Sequence, residues 1–197
     1  MSPSRTYDMS ARRAAMRTTR EAILDTAVEL FGPRYYDEVT LAEVARAAGV
    51  STQTVVNHFG GKSQLYLAGV SERVAPEIAR LREGAVPGDL GSVVDAVLND
   101  YETTGQSTMR TLGIAPRLPE LAEMLEAGRT WHHEWTAEHL RPCVAHLRGQ
   151  ARARRLRAAA TVLDVTTWHD LRTRQGLPAE ETRAVLMTML EPMLSAT

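Results

Sequence analysis

Cysteine occurs once, at Cys143, which excludes an internal disulfide framework and a cysteine-based zinc site. No stretch of about eighteen uncharged apolar residues is present, so no membrane span is expected. The arginine-rich N-terminus lacks the apolar stretch of a secretory signal. Period-two runs of β-branched residues are scarce, which argues against strands. Neither sign of charge is in excess: the formal net charge is −1, which argues against a uniformly basic surface. Ala, Leu, Arg and Glu, the residues of helices, are plentiful. At 197 residues and 44% hydrophobic, the chain suits one large domain or a small domain fused to a larger one. The expectation is an all-α protein of the cytoplasm.

Charge is unevenly spread. Arg5, Arg12, Arg13, Arg17 and Arg20 face only Asp8 in the first twenty residues, so residues 1–17 read as a basic, flexible arm, with the alternative of an arm lying beside an anionic polymer. Thr18 and Glu21 have capping-box spacing and are expected to open the first helix, whose apolar stripe is Ile23, Ala27, Leu30 and Phe31. Gly32 and Pro33 break it. Thr40 and Glu43 form a second box, opening a short helix that buries Leu41, Val44, Ala45 and Ala48 and stops at Gly49. Ser51 caps a third helix with Val55 and Phe59 turned inward. Gly60 and Gly61 end it, and Lys62 opens a fourth helix through Leu65, Leu67, Val70 and Val74.

Two short helices joined by a tight turn containing Gly form the helix-turn-helix pattern. Its second helix enters the DNA major groove and presents N-terminal side chains to base edges. Thr52, Gln53 and Thr54, next to the cap Ser51, are chemically apt: Gln can pair with adenine through two hydrogen bonds, and a Thr methyl can touch the thymine methyl. Asn57, His58 and Lys62 come later and suit phosphates. The plainer alternative is a polar, solvated helix in a small bundle.

The stretch "TREAILDTAVELF…VTLAEVARAAGVSTQTVVNHFGGKSQLYLA", roughly residues 18–68, resembles the DNA-binding domain of the TetR family of bacterial transcriptional regulators. The resemblance implies a homodimer on a palindromic double-stranded operator, released when a small-molecule effector enters a C-terminal domain. It implies no cofactor and no catalysis. Carried over by position, it assigns Thr40 and Lys62 to phosphates and Thr52 to Thr54 to bases. One position departs: many members carry Tyr where this chain has Val56, so one phosphate contact is expected to be missing or shifted to Asn57 and His58. The implied domains are a helix-turn-helix domain over 18–66 and a helical ligand-binding and dimerisation domain over 67–197.

Beyond residue 75 the pattern is of longer helices, broken at 86–89, at Pro116 and Pro119, and at 175–178. One helix, over about 91–113, aligns Val94, Val97, Leu98, Tyr101, Gly105, Thr108, Met109 and Leu112 on a face. The next, from about 119 to 147 with Pro142 expected to kink or end it, aligns Leu121, Met124, Leu125, Gly128, His132, Trp135 and His139. Three readings meet at this second stripe. A metal site would use His132, Glu134 and His139, but Glu134 lies on another face and no His-Glu-x-x-His pattern exists. His132 could be an ordinary core histidine. A ligand pocket would combine Tyr101, His132 and Trp135 with the gap left by Gly128 and with Arg129, Trp131 and Trp168. Arg148, Arg152, Arg154, Arg155 and Arg157 form a second basic run, read as a solvated helix start or bundle end in preference to a second DNA contact. In the last helix Val185, Leu186, Met189, Leu190, Met193 and Leu194 cover about half the circumference. One core-facing stripe needs roughly 100°. The surplus suggests a dimer seam of Val185, Met189, Leu190 and Met193, shared with Leu163 in a helix over about 152–174. The rivals are a small helical enzyme built on the His132 region and a helical interaction module without DNA affinity.

Overall fold

The computed structural model describes residues 5–195, with side chains from Arg13 onward. Among the described residues every regular element is helical. The chain divides into two compact units, Met1–Pro76 and Glu77–Thr197, so the first extends beyond the expected limit of residue 66.

The first unit begins with α1 (Arg5–Phe31), which starts well before Thr18. The Thr18 capping box is therefore not an N-terminus. Thr18 and Thr19 donate their hydroxyls to the carbonyls of Ala14 and Ala15, 3.1 and 3.0 Å away, which satisfies them inside the helix. Residues 5 to 31 contain neither Gly nor Pro, and Ala, Met and Arg favour helix, so nothing stops the helix at that point. Residues 1–4 of the expected arm lie outside the described ones.

The other two caps form as expected. α2 (Leu41–Ala47) opens on Thr40, whose hydroxyl accepts from the Glu43 N–H while the Glu43 carboxylate accepts from the Thr40 N–H. Gly49 takes φ 68°, the left-handed geometry that lets the chain turn at once into the next helix. α3 (Thr52–Phe59) opens on Ser51. α4 (Lys62–Gly69) continues through a single π turn, Val70–Val74, into α5 (Ala75–Leu81). Ile23, Leu24, Val39, Val44, Val55 and Leu65 are sealed between these helices. Two ion pairs tie α1 to the π turn, Arg20–Glu72 and Arg73–Asp25, each at 2.6 Å. They bring this turn into the first unit.

The second unit contains α6 (Leu90–Asp100), a π turn at Tyr101–Gly105, α7 (Gln106–Ile114), α8 (Pro119–Leu140), α9 (Gly149–Val162), α10 (Val165–His169), a π turn at Asp170–Arg174 and α11 (Ala179–Ser195). Pro142 follows the end of α8, as expected. The helix expected over 91–113 is not uniform. Its π turn inserts one residue, which rotates the following face by about 100°. Thr111 and Ile114 are buried on α7, while Thr108, Met109 and Leu112 are only half-buried. The helix expected over 152–174 is interrupted at Leu163, and Asp164 caps α10.

Candidate nucleic-acid interface and a buried charged cluster

In the first unit, the N-terminus of α3 is a polar face held by local hydrogen bonds. Ser51 Oγ accepts from the Thr54 N–H at 3.1 Å and lies 2.8 Å from Thr54 Oγ1, so these two residues mainly cap and orient the helix. Thr52 and Gln53 are exposed. Gln53 Nε2 donates to Asn57 Oδ1 at 2.9 Å, one turn along the same face. That bond uses one amide N–H of this exposed residue, so its Oε1 and second N–H remain as acceptor and donor. Val55 and Phe59 anchor the opposite side.

The residues assigned to phosphates are less uniform. Thr40 is exposed at the start of α2 with its hydroxyl engaged by Glu43. Glu43 is held below the usual carboxylate range, first by the Thr40 N–H, then by the Thr40 hydroxyl and Arg34. His58 is half-buried beside Phe59. Lys62 stands with Nζ 4.1 Å above the Tyr36 ring, and burial lowers its pKa against the pull of Asp37 and Glu43. Among the N-terminal arginines, Arg20 is already bound to Glu72 and covers Phe59, and Arg17 faces Glu21. Arg13 is exposed, and the side chains of Arg5 and Arg12 lie outside the described residues.

The second unit contains a cluster whose two central residues were missed in the sequence. Arg82, 3% exposed, points its guanidinium at Asp100, which is fully buried. Arg82 Nε and Nη2 lie 2.8 and 2.7 Å from Asp100 Oδ2. Arg82 Nη1 lies 3.0 Å from His132 Nδ1. Because guanidinium can only donate, Nδ1 must accept, and the proton sits on Nε2, which donates to the Ala160 carbonyl at 3.1 Å. Thr104 donates to the other carboxylate oxygen of Asp100 at 2.6 Å. Burial and then the neighbouring guanidinium hold the His132 imidazole down to about 4, so it is neutral at physiological pH. Burial raises the Asp100 carboxyl, opposed by Arg82 and Thr104. Removing one partner of such a buried pair costs about 3–5 kcal/mol, because the other charge is left uncompensated.

Four of the expected pocket residues, Tyr101, Trp131, His132 and Trp135, converge on Arg82. Its Cζ lies 5.3, 5.2 and 5.0 Å from the ring centres of Tyr101, Trp131 and Trp135. The Trp135 ring stacks on His139 at 4.2 Å. Trp168 packs on Tyr101 and donates its indole N–H to Glu102 at 2.9 Å. Gly105 makes that packing possible: a Cβ there would lie 2.4 Å from the Trp168 ring. Gly128 and Arg129 do not belong to the cluster. Both are exposed, and a Cβ at Gly128 would meet nothing within 4 Å. No residue from 122 to 131 of α8 is buried, so Gly128 leaves no internal gap.

The expected dimer seam also divides. Leu163 and Leu190 are 1% and 0% exposed and belong to the core of the second unit. Val185 and Met193 are half-buried and pack against the edge of the same core, while Met189 is 42% exposed on the outer side of α11. The Leu186, Leu190 and Leu194 row takes the inward half of the arc.

A helix-turn-helix head with a capped, polar second helix, followed by a larger helical unit, defines a class of protein that the comparisons specify. The family described as "Bacterial regulatory proteins, tetR family" matches residues 23–68. Residues 23–68, from α1 through α4, therefore carry this family's signature. It is 30% identical over 129 residues to the HTH-type transcriptional repressor Rv3405c of Mycobacterium tuberculosis, across 59% of this chain and 64% of that protein. It spans less than two thirds of the length of that relative. The fold resembles a tetR-family transcriptional regulator from Streptomyces coelicolor, with TM-score 0.70 and 20% identity over 91% of this chain and 83% of that one. It also resembles SmeT in its complex with triclosan, with TM-score 0.63 and 20% identity over 91% of each chain. Among the described residues no helix is long and apolar enough to cross a membrane.

Proposed function

We propose that this chain is a DNA-binding transcriptional regulator that binds a palindromic operator as a homodimer and is released by a small-molecule effector. The observation that carries the reading is the start of α3, where exposed Thr52 and Gln53 stand on a helix anchored by Ser51, Val55 and Phe59. A fixed helix with outward donors and acceptors suits base edges in the major groove. Thr40, Asn57, His58 and Lys62 flank it and take phosphates, which set register without reading sequence. Ser51 and Thr54 act on DNA mainly through the posture they give α3. A repressor role follows the relative Rv3405c, and effector binding in the second unit follows the fold shared with SmeT. An effector releases DNA only by favouring the conformation that binds the operator less well, so the two sites are coupled in free energy.

A gel shift against DNA upstream of the chain's own coding region tests this reading. A specific band should survive excess unrelated DNA and weaken steeply with salt. A band that unrelated DNA removes as easily as operator DNA would overturn it.

A further inference from the structure

We infer that the aromatic cage around Arg82 is a binding site for flat, delocalised organic cations such as guanidinium and amidinium groups, with Arg82 as its resident occupant. The proposal deepens the effector reading and rests on it only for the consequence on DNA. Everything directed at the Arg82 guanidinium accepts hydrogen bonds or attracts positive charge: the Asp100 carboxylate, the His132 Nδ1 lone pair, and the rings of Tyr101, Trp131 and Trp135. Such surroundings recognise a planar cation that carries only donors. The walls stand on regular helix, on α6 and its π turn and on α8, while the occupant does not. Arg82 lies one residue past α5, followed by a turn in which a Cβ at Gly84 would meet nothing within 4 Å.

Charge balance selects the class of ligand. When Arg82 swings out, Asp100 is left buried without a counter-ion, since Thr104 satisfies only its other oxygen. A neutral ligand leaves that charge unpaired, and an anion adds repulsion. A cation restores the balance without protonating Asp100. Trp131, one wall of the cage, is itself 37% exposed.

The test measures binding of methylguanidinium and benzamidinium to the full chain by calorimetry and tryptophan fluorescence, with methylurea and benzamide as neutral isosteres. Arg82 competes with the ligand, so its removal raises affinity. Arg82→Ala should bind methylguanidinium at least about tenfold more tightly than wild type. Arg82→Ala combined with Asp100→Asn should lose the response. Equal or weaker binding by Arg82→Ala, or an equal response to methylurea, overturns the proposal. Arg82→Gln keeps the stem length and serves if the Ala variant does not fold. In the wild-type chain, saturating benzamidinium should shift the Arg82 Nε–H resonance to a solvent-like position, and a resonance that stays in place also overturns the proposal. Cation binding that leaves operator affinity unchanged upholds the site and overturns only its effector role.

Discussion

Arg82, Asp100 and His132 put one ion pair and a neutral imidazole where water is excluded, and they divide the work by chemistry. The guanidinium supplies donors, the carboxylate the opposite charge, and His132 spans from Arg82 Nη1 to the Ala160 carbonyl because one ring nitrogen accepts while the other donates. That bridge requires the neutral ring, which gives stability a pH dependence. The folded pKa of about 4 lies below the ordinary value of 6.5, so between them the unfolded chain binds a proton that the folded chain refuses. Stability contributed by His132 is therefore complete above pH 6.5 and lost as pH falls toward 4, by up to about 3 kcal/mol. Asp100 acts in the opposite sense, because its raised pKa lets the folded state take up a proton more readily than the unfolded one as the solution becomes acidic. Urea unfolding at pH 7.5 and pH 5.0 should show the loss in the wild type. His132→Gln, which keeps an acceptor and a donor but does not titrate, should show a smaller one. Equal losses in both proteins would place the pH sensitivity in another group.

Elements were legible where sequence alone sets the local hydrogen bonds. Thr40 with Glu43, Gly49 and Ser51 satisfy their own neighbourhood, so their roles could be read from spacing and hold in the structure. Thr18 has the same spacing and fails, because its hydroxyl finds a carbonyl one turn back in an uninterrupted helix. The π turn at Tyr101–Gly105 has no residue type that announces it, and the face expected for α7 was therefore misplaced. Arg82 and Asp100 are eighteen positions apart across the non-helical stretch between α5 and α6, and only folding brings them together. The one local signal was Asp100 itself, an acid beside the apolar face that carries Val97 and Tyr101. On α3 the division of labour gives a contrast between variants. Gln53→Ala should weaken specific binding by about 1–3 kcal/mol and relax preference at one base pair per half-site. Lys62→Ala should weaken all sequences alike and flatten the salt dependence by about one unit. A panel of operator variants checks this, and two mutants with the same profile would contradict it.

For the whole molecule the question is what covers the outer side of α11. Half of its apolar arc is used by Leu186, Leu190 and Leu194 within the second unit, so Leu190→Arg would damage the protomer rather than test an interface. Val185, Met189 and Met193 recur every four residues beside that row; Val185 and Met193 lean partly on the core, and Met189 stands out from it. In a two-fold dimer the same face meets its copy, so one substitution acts twice. Met189→Glu is the clean probe: at 42% exposure the change should move protomer stability by only about 0.5 kcal/mol, while two carboxylates are brought to one apolar seam. Light scattering should report a shift from two chains to one. Operator affinity should fall with it although α3 is untouched, because two half-sites held by one dimer benefit from an effective concentration that separate chains lack. The monomer should still bind a single half-site weakly, which distinguishes lost assembly from a damaged reading head. A Met189→Glu protein that remains dimeric and binds the full operator as before would move the interface off α11.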